Sequence, residues 1–395
     1  MDPHVREILD LFVRWFHFVA GIMWIGNSML FNWLDRNLLK REGLKPGSMG
    51  EIWLLHGGGF YQVEKKMLEQ GEAYPDPLHW FMWQNFTTWA SGILLLVIVY
   101  YLGGESFMVD PAVAKLGGGE AIALGVGSLL VGCTVYEGIW RSPLGKNTQA
   151  GAAVSLVCLV AYTYFMCHML SGRAAFIHVG AMLGTCMTMN VWMHIVPSQR
   201  KLTEGIKKGE AQDEKLSYRA KSRSIHNNYL TFPVLFTMIS NHFPTTFGSP
   251  LNWLILLVVG LAAAGVRHFM NIRFFYGGWK PALAACAAAG VGGLVALTWP
   301  TAPKVTSAAP VAYSAVAPIV QARCATCHSA KPSDAQFTTA PSGLMLDTPA
   351  QIKAAADRIK QRAVDSTSMP LGNKTNMTPE ERATLGQWIA GGAPL

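Results

Sequence analysis

Five consecutive residues near the C-terminus carry the most specific chemistry in this chain: Cys324-Ala325-Thr326-Cys327-His328. Two thiols at this spacing, followed at once by an imidazole, form the attachment signature of c-type haem. The sulfurs add to the haem vinyl groups and the histidine becomes an axial ligand of the iron. A zinc half-site or a redox dithiol has no use for the histidine, and no second cysteine pair completes a zinc site. A downstream methionine is expected as the sixth ligand, with Met369 and Met377 available. A thioether ligand raises the reduction potential, which suits an electron acceptor.

The elements around this motif read as a small helical domain. Residues 315–323 form a short helix leading into it. Thr378-Pro379-Glu380-Glu381 is a helix start, with Thr as N-cap, Pro at the first position and Glu at the third. Leu385, Trp388 and Ile389 give that helix an apolar face. The tail resembles small class I-like c-type cytochromes, whose first and last helices pack together. The resemblance implies that Met369, which precedes a proline, is the ligand, and that Met377 is a packing residue. Residues 300–311 (PTAPKVTSAAPV) read as a linker. The chain thus divides into 1–299, the linker, and 312–395.

A second group of candidates lies within apolar runs, where ionisable side chains are costly and so point to function. His17, His178 and His242 fall toward one side of these runs. A facing pair among them is what a b-type haem needs, and an interhelical hydrogen bond is the alternative. His79, His194, His226 and His268 fall toward the other side, with Arg267 and Arg273. The segment 35–78 adds His56-Gly57-Gly58-Gly59-Phe60-Tyr61 and Lys65, where glycines permit a tight turn or close approach to a ligand. No Lys-Ser/Thr follows the glycines, so this is not a phosphate loop. The aromatic block 78–89 (LHWFMWQNFTTW) offers flat faces for a planar heterocycle or, alternatively, an interfacial belt. Cys133, Cys158, Cys167, Cys186 and Cys286 stand singly in apolar runs and read as packing residues.

These groups must be positioned by membrane helices. Only 14% of residues are charged and 51% are hydrophobic, far from a soluble domain. Eight segments are long and apolar enough to span: 8–34, 79–102, 120–140, 149–170, 174–196, 226–243, 250–270 and 280–299. The first is too long and too polar for a signal peptide and reads as a retained helix. Lys and Arg crowd the loops after the first and fifth spans, with six and eight, and are nearly absent after the second, fourth and sixth. The positive-inside rule then puts those basic loops in the cytoplasm and both termini in the periplasm, where c-type haem is attached. The formal charge of +8 sits in these loops, so it argues for topology and against nucleic-acid binding. Spans 1 and 5 read alike, suggesting two four-helix halves. The expected fold is all-α: an eight-helix transmembrane bundle followed by a cytochrome domain.

The whole chain resembles the membrane-bound bacterial urate oxidase (urate hydroxylase) family. The likeness rests on the span layout, HGGGFY at 56–61, LHWFMWQ at 78–84, HNNYLTFPVLFTMISNH at 226–242 and the ATCH motif. It implies oxidation of urate to 5-hydroxyisourate, water supplying the hydroxyl. The electrons would pass to the cytochrome and then to a downstream respiratory cytochrome or oxidase, in the bacterial inner membrane. Gln84 stands where an acidic residue is expected in relatives, which puts a base at that position in doubt. Proton removal calls for a base, and Lys, Arg or Tyr could hold the anion. His56, Tyr61, Lys65, His79, His226 and His268 are the catalytic candidates. Two other readings compete: a quinol-linked respiratory subunit, and a copper or haem transporter. A haem–copper oxidase is excluded, because it needs an adjacent histidine pair and a His-x-x-x-Tyr site that this chain lacks.

Overall fold

The structure is a computed structural model that describes residues 2–68, 70–299 and 311–395. The linker therefore lies outside the described residues, except for Val311. Helix α1 (Pro3–Asn37) starts on an Asp2 cap and leaves Trp15, Phe16 and Phe18 exposed along its length. It is followed by a hairpin of β1 (Ser48–His56) and β2 (Gly59–Lys66). Helix α2 (Trp83–Leu95) runs on into a π-helical turn to Tyr101, and α3 (Glu105–Met108) is a single turn. Then come α4 (Gly118–Arg141), α5 (Thr148–Met169) and α6 (Gly172–Met189), the last continuing through a π-helical segment, Asn190–Ile195, into α7 (Val196–Lys207). Helix α8 (Glu214–Ser240), the short α9 (Pro244–Phe247), α10 (Asn252–Ile272) and α11 (Trp279–Thr298) complete this part.

Among the described residues, six helices are long and apolar enough to cross a membrane: α1, α4, α5, the α6–α7 rod, α10 and α11. The two other expected spans, 79–102 and 226–243, are helical but fall outside that set. The first is split by its π-helical turn. The second lies in α8, which carries buried Arg223, Asn227, Asn228 and Thr231. The α6–α7 rod is the centre of the bundle, 72% buried over its most apolar window, whereas α1 is 6% buried there. Spans 1 and 5, alike in sequence, thus occupy unlike places.

The expectation of an all-α chain needs correction at 48–66. Gly57 and Gly58 have φ of +60° and +80°, which suits the two-residue turn that matches strand twist. His56 pairs with Gly59 across it, and the register runs on to Trp53–Gln62 and Ile52–Val63. The glycines make a hairpin turn here, and the flanking β-branched and aromatic residues make the strands.

The tail forms its own core. Helix α12 (Tyr313–Arg323) and the last helix, α15 (Pro379–Ala390), pack together, with α13 (Pro349–Ala354) and α14 (Ala356–Ile359) between them in sequence. Trp388, Leu385, Val316 and Val320 are fully buried. The expected cap is present: Glu381 N–H donates to the Thr378 hydroxyl, and Glu381 accepts from the Thr378 N–H. Arg323 ties the two helices through Glu381, at 2.9 Å.

Candidate functional site

Four consecutive residues of α8 organise the buried polar groups of the membrane-like part. Successive helix positions turn by about 100°, so four of them sweep the whole circumference. His226 Nδ1 meets the Tyr136 hydroxyl of α4 at 2.8 Å, and its ring lies 4.0 Å from Trp140. Asn227 accepts from Asn190 Nδ2 at 2.9 Å and donates to the Met187 carbonyl, binding α6. Asn228 Oδ1 accepts from Arg267 Nε at 3.0 Å and Asn271 Nδ2 at 2.6 Å, binding α10. Tyr229 meets His268 Nδ1 at 2.8 Å, again on α10.

The first of these clusters centres on Glu137, a carboxylate within α4 that the sequence reading did not single out. Its Oε1 accepts from Arg141 Nε at 2.5 Å and from His194 Nε2 at 2.6 Å, while Arg223 lies 3.2 Å from Oε2. Arg219 donates to His194 Nδ1 at 2.8 Å, which fixes the imidazole as the tautomer carrying its proton on Nε2. Arg223 reaches on to Asn190 at 3.1 Å, and Asn190 to Tyr136. The π-helical segment Asn190–Ile195 adds a residue to the turn and brings both Asn190 and His194 onto this face; such bulges are frequent at functional sites. The available signal was a lone acidic residue inside an apolar span.

The sequence-chosen residues are distributed differently. His226 belongs to the Glu137 cluster and His268 to the Arg267 cluster. His56, Tyr61 and Lys65 lie on the hairpin, and His79 is exposed on the segment that follows it. Tyr61 is 56% exposed, and Lys65 is engaged with Asp35 at 2.6 Å. The structure brings none of these four to either buried cluster. In the aromatic block Asn85 is buried and bonds Thr188 and Trp192, while Trp83 and Phe86, both exposed, meet Trp192 edge-on at 5.6 and 5.7 Å. Gln84 is left with a buried carbonyl oxygen that has no partner among the described residues.

Of the histidines named for a membrane haem, His178 is fully buried and engaged on both nitrogens, with the Ala174 carbonyl at 2.7 Å and the Tyr101 hydroxyl at 3.1 Å. An iron bound at Nε2 would have to displace that hydroxyl. His17 Nδ1 lies 3.0 Å from both Thr88 O and Ser91 Oγ, and His242 is exposed. These three residues do not form a ready pair of ligands.

In the tail, Cys324, Cys327, His328 and Met369 line one cleft, with Phe337, Leu371 and Lys374 on its walls. His328 Nδ1 is 3.2 Å from the Leu344 carbonyl, so that nitrogen carries the proton and Nε2 is left basic. Burial pushes the Cys324 thiol up to about 11. Met377 sits apart in the core, 3% exposed. The donor set and the cleft fit a covalently held haem with histidine and methionine ligands.

One ion pair guards this cleft: Lys374 and Asp334, at 2.6 Å. Burial pushes the Asp334 carboxyl up, but Lys374 and the Gln336 N–H outweigh it and hold the group below its ordinary value. A depressed carboxylate stabilises the fold above its unfolded value, about 4, and loses that contribution as pH falls through the folded one. Thermal unfolding of the full chain should therefore separate wild type from Asp334→Asn at pH 7. The gap should narrow as pH falls through the depressed value of Asp334; a gap unchanged in strong acid would assign the stabilisation to something other than the ion pair.

The cleft end of the tail sits against the helical bundle. Gln336 donates to the Gly103 carbonyl at 3.1 Å, Arg6 donates to the Gln336 carbonyl at 3.4 Å, and Thr367 N–H reaches Gly248 O at 3.4 Å. Gly372 has φ +54°, and a Cβ there would lie 2.5 Å from Ser106 O and 2.6 Å from Val109 O. A side chain at Gly372, as in Gly372→Ala, should therefore weaken the hold of the tail on this loop. The expected readout is faster proteolytic release of the tail. Unchanged proteolysis would mean that the loop yields instead.

Fold and site together define a polytopic helical protein, compatible with membrane insertion, that buries charged networks in its bundle and carries a docked cysteine–histidine domain. A family model described as urate oxidase N-terminal matches residues 3–299, and the chain belongs to that family. No curated protein matches, and no solved structure does. The family points to an oxidoreductase acting on urate.

Proposed function

We propose that this chain oxidises urate to 5-hydroxyisourate and passes the electrons to a c-type haem in its own tail. Urate and water give 5-hydroxyisourate, two protons and two electrons, so no oxygen need be consumed at the site. The observation that carries the reading is the pairing of the matched family region with a docked tail whose cleft is lined by Cys324, Cys327, His328 and Met369. A haem held there would supply a one-electron acceptor of raised potential. His328 and Met369 would be its axial ligands, and the two thiols its covalent tethers. Phe337 and Leu371 would exclude water from its edge. The surface Gly103–Asp110 meets the tail beside this cleft, at Gln336 and Gly372.

On this reading α2 and α8 also lie in the membrane, making eight spans, since both pack against the spanning helices. The loop charges put the basic ends in the cytoplasm of a bacterial inner membrane and the tail in the periplasm. A downstream respiratory cytochrome or oxidase would then take the electrons. His226 and His268, each hydrogen-bonded to a tyrosine, are the bases best placed within the bundle.

The test is an anaerobic optical spectrum of the detergent-purified chain before and after urate. Reduction bands of c-type haem appearing with urate alone support the reading, and a separate b-type band would reveal a second haem. Reduction by dithionite or quinol but not by urate overturns it.

A further inference from the structure

Between α1 and the end of α10 lies a small cavity of about 170 Å³. Arg267, Asn271 and Arg273 line it from α10, and Asn32 and Trp33 from α1, with two methionines between. Its residues include two guanidinium groups and no carboxylate. Arg267 is 5% exposed, and its bonded partner is the neutral Asn228. The Phe232 ring lies 5.5 Å from it. Among the described residues no carboxylate lies within ion-pair distance of Arg267 or Arg273. The nearby Asp35 is taken by Lys65.

A buried cation without a counter-charge is expensive, and proteins keep such groups where a ligand supplies the charge. A second observation points the same way. Asn271 Nδ2 is committed to Asn228, which fixes the amide orientation and leaves its Oδ1 buried without a partner. That oxygen is an acceptor awaiting a donor. The cavity therefore asks for a planar anion that carries an N–H and is small enough to lie beside one indole.

We infer that this cavity is the urate seat: Arg267 and Arg273 hold the anion, Asn271 Oδ1 accepts a ring N–H, and Trp33 covers a face. The inference rests on the proposed urate chemistry. It also places the seat at the basic end of the bundle, on the side from which a cytoplasmic anion would enter. Arginine suits this task because its fork presents paired donors to a delocalised anion.

The experiment measures urate binding by calorimetry on the full-length protein, alongside urate-driven haem reduction. Arg273→Gln and Asn32→Leu are the primary variants, because both residues are partly exposed and fold-neutral changes there are the easiest to obtain. Arg267→Lys tests the buried position with its charge kept. The expected result is affinity weakened roughly 10- to 100-fold, the loss of one charged hydrogen bond, with the dithionite-reduced spectrum unchanged. Wild-type affinity in all three variants overturns the seat while leaving urate oxidation standing. If wild type binds urate and the variants do not, but urate never reduces the haem, the seat holds and the proposed electron route fails. If wild type binds no urate, the seat is overturned.

Discussion

Changing Cys324 and Cys327 together to alanine leaves a chain with no covalent haem and no electron transfer from urate to the tail. Each thioether bond needs one of these sulfurs, and no other cysteine lies in the tail. The other five cysteines lie in the helical bundle, with Cys133, Cys167 and Cys186 buried there and Cys158 and Cys286 partly buried in α5 and α11. The covalent haem stain on a denaturing gel should vanish, and urate-dependent reduction should fall to background. Met369→Leu separates attachment from ligation: the stain stays, while the potential shifts because the thioether is gone. Structural damage is the competing explanation for the double variant. It is distinguished by the fold around Trp388, whose indole N–H donates to the Pro394 carbonyl at 2.8 Å, well inside the core. A double variant that still stained for haem would remove the tail from the proposed electron route altogether.

That site was readable before any coordinates because its determinants are local. Cys324, Cys327 and His328 lie within five positions, and the α15 cap is set by Thr378 and Glu381, three apart. Six of the eight expected spans were readable for the same reason, since insertion depends on runs of apolar residues. The hairpin at 48–66 was less so: three glycines are compatible with many loops until the partner strand fixes two of them at positive φ. The buried clusters were the least legible. Arg267 and Arg273 could be named from their place in an apolar run, but Asn228, the partner of Arg267, lies 39 positions earlier. Glu137 meets a histidine 57 positions away and an arginine still farther along. The hairpin residues His56, Tyr61 and Lys65 were attractive by type and spacing. The fold puts them outside the bundle, where type alone decides little.

Glu137 is where loss of a single side chain should cost the fold most. It balances Arg141 and the buried Arg223 and accepts from His194, whose own Nδ1 is held by Arg219. Glu137→Leu leaves Arg223 buried among neutral neighbours, with Asn190 as its remaining hydrogen-bond partner. Breaking a buried pair from one side costs about 3–5 kcal/mol, most of it the stranded charge. The stranded-charge origin makes a further demand. In a double variant, Glu137→Leu with Arg223→Met, the charge is gone as well as its partner. The double should therefore be more stable than the sum of the singles implies, with a coupling energy of about 0.5–3 kcal/mol. Thermal unfolding in detergent of wild type, both singles and the double closes the cycle. Additive losses would mean that Glu137 and Arg223 each act through other neighbours. Recovery in the double would identify the carboxylate as the group that makes buried arginine tolerable on α8, one helical turn from the asparagines that tie this helix to α6 and α10.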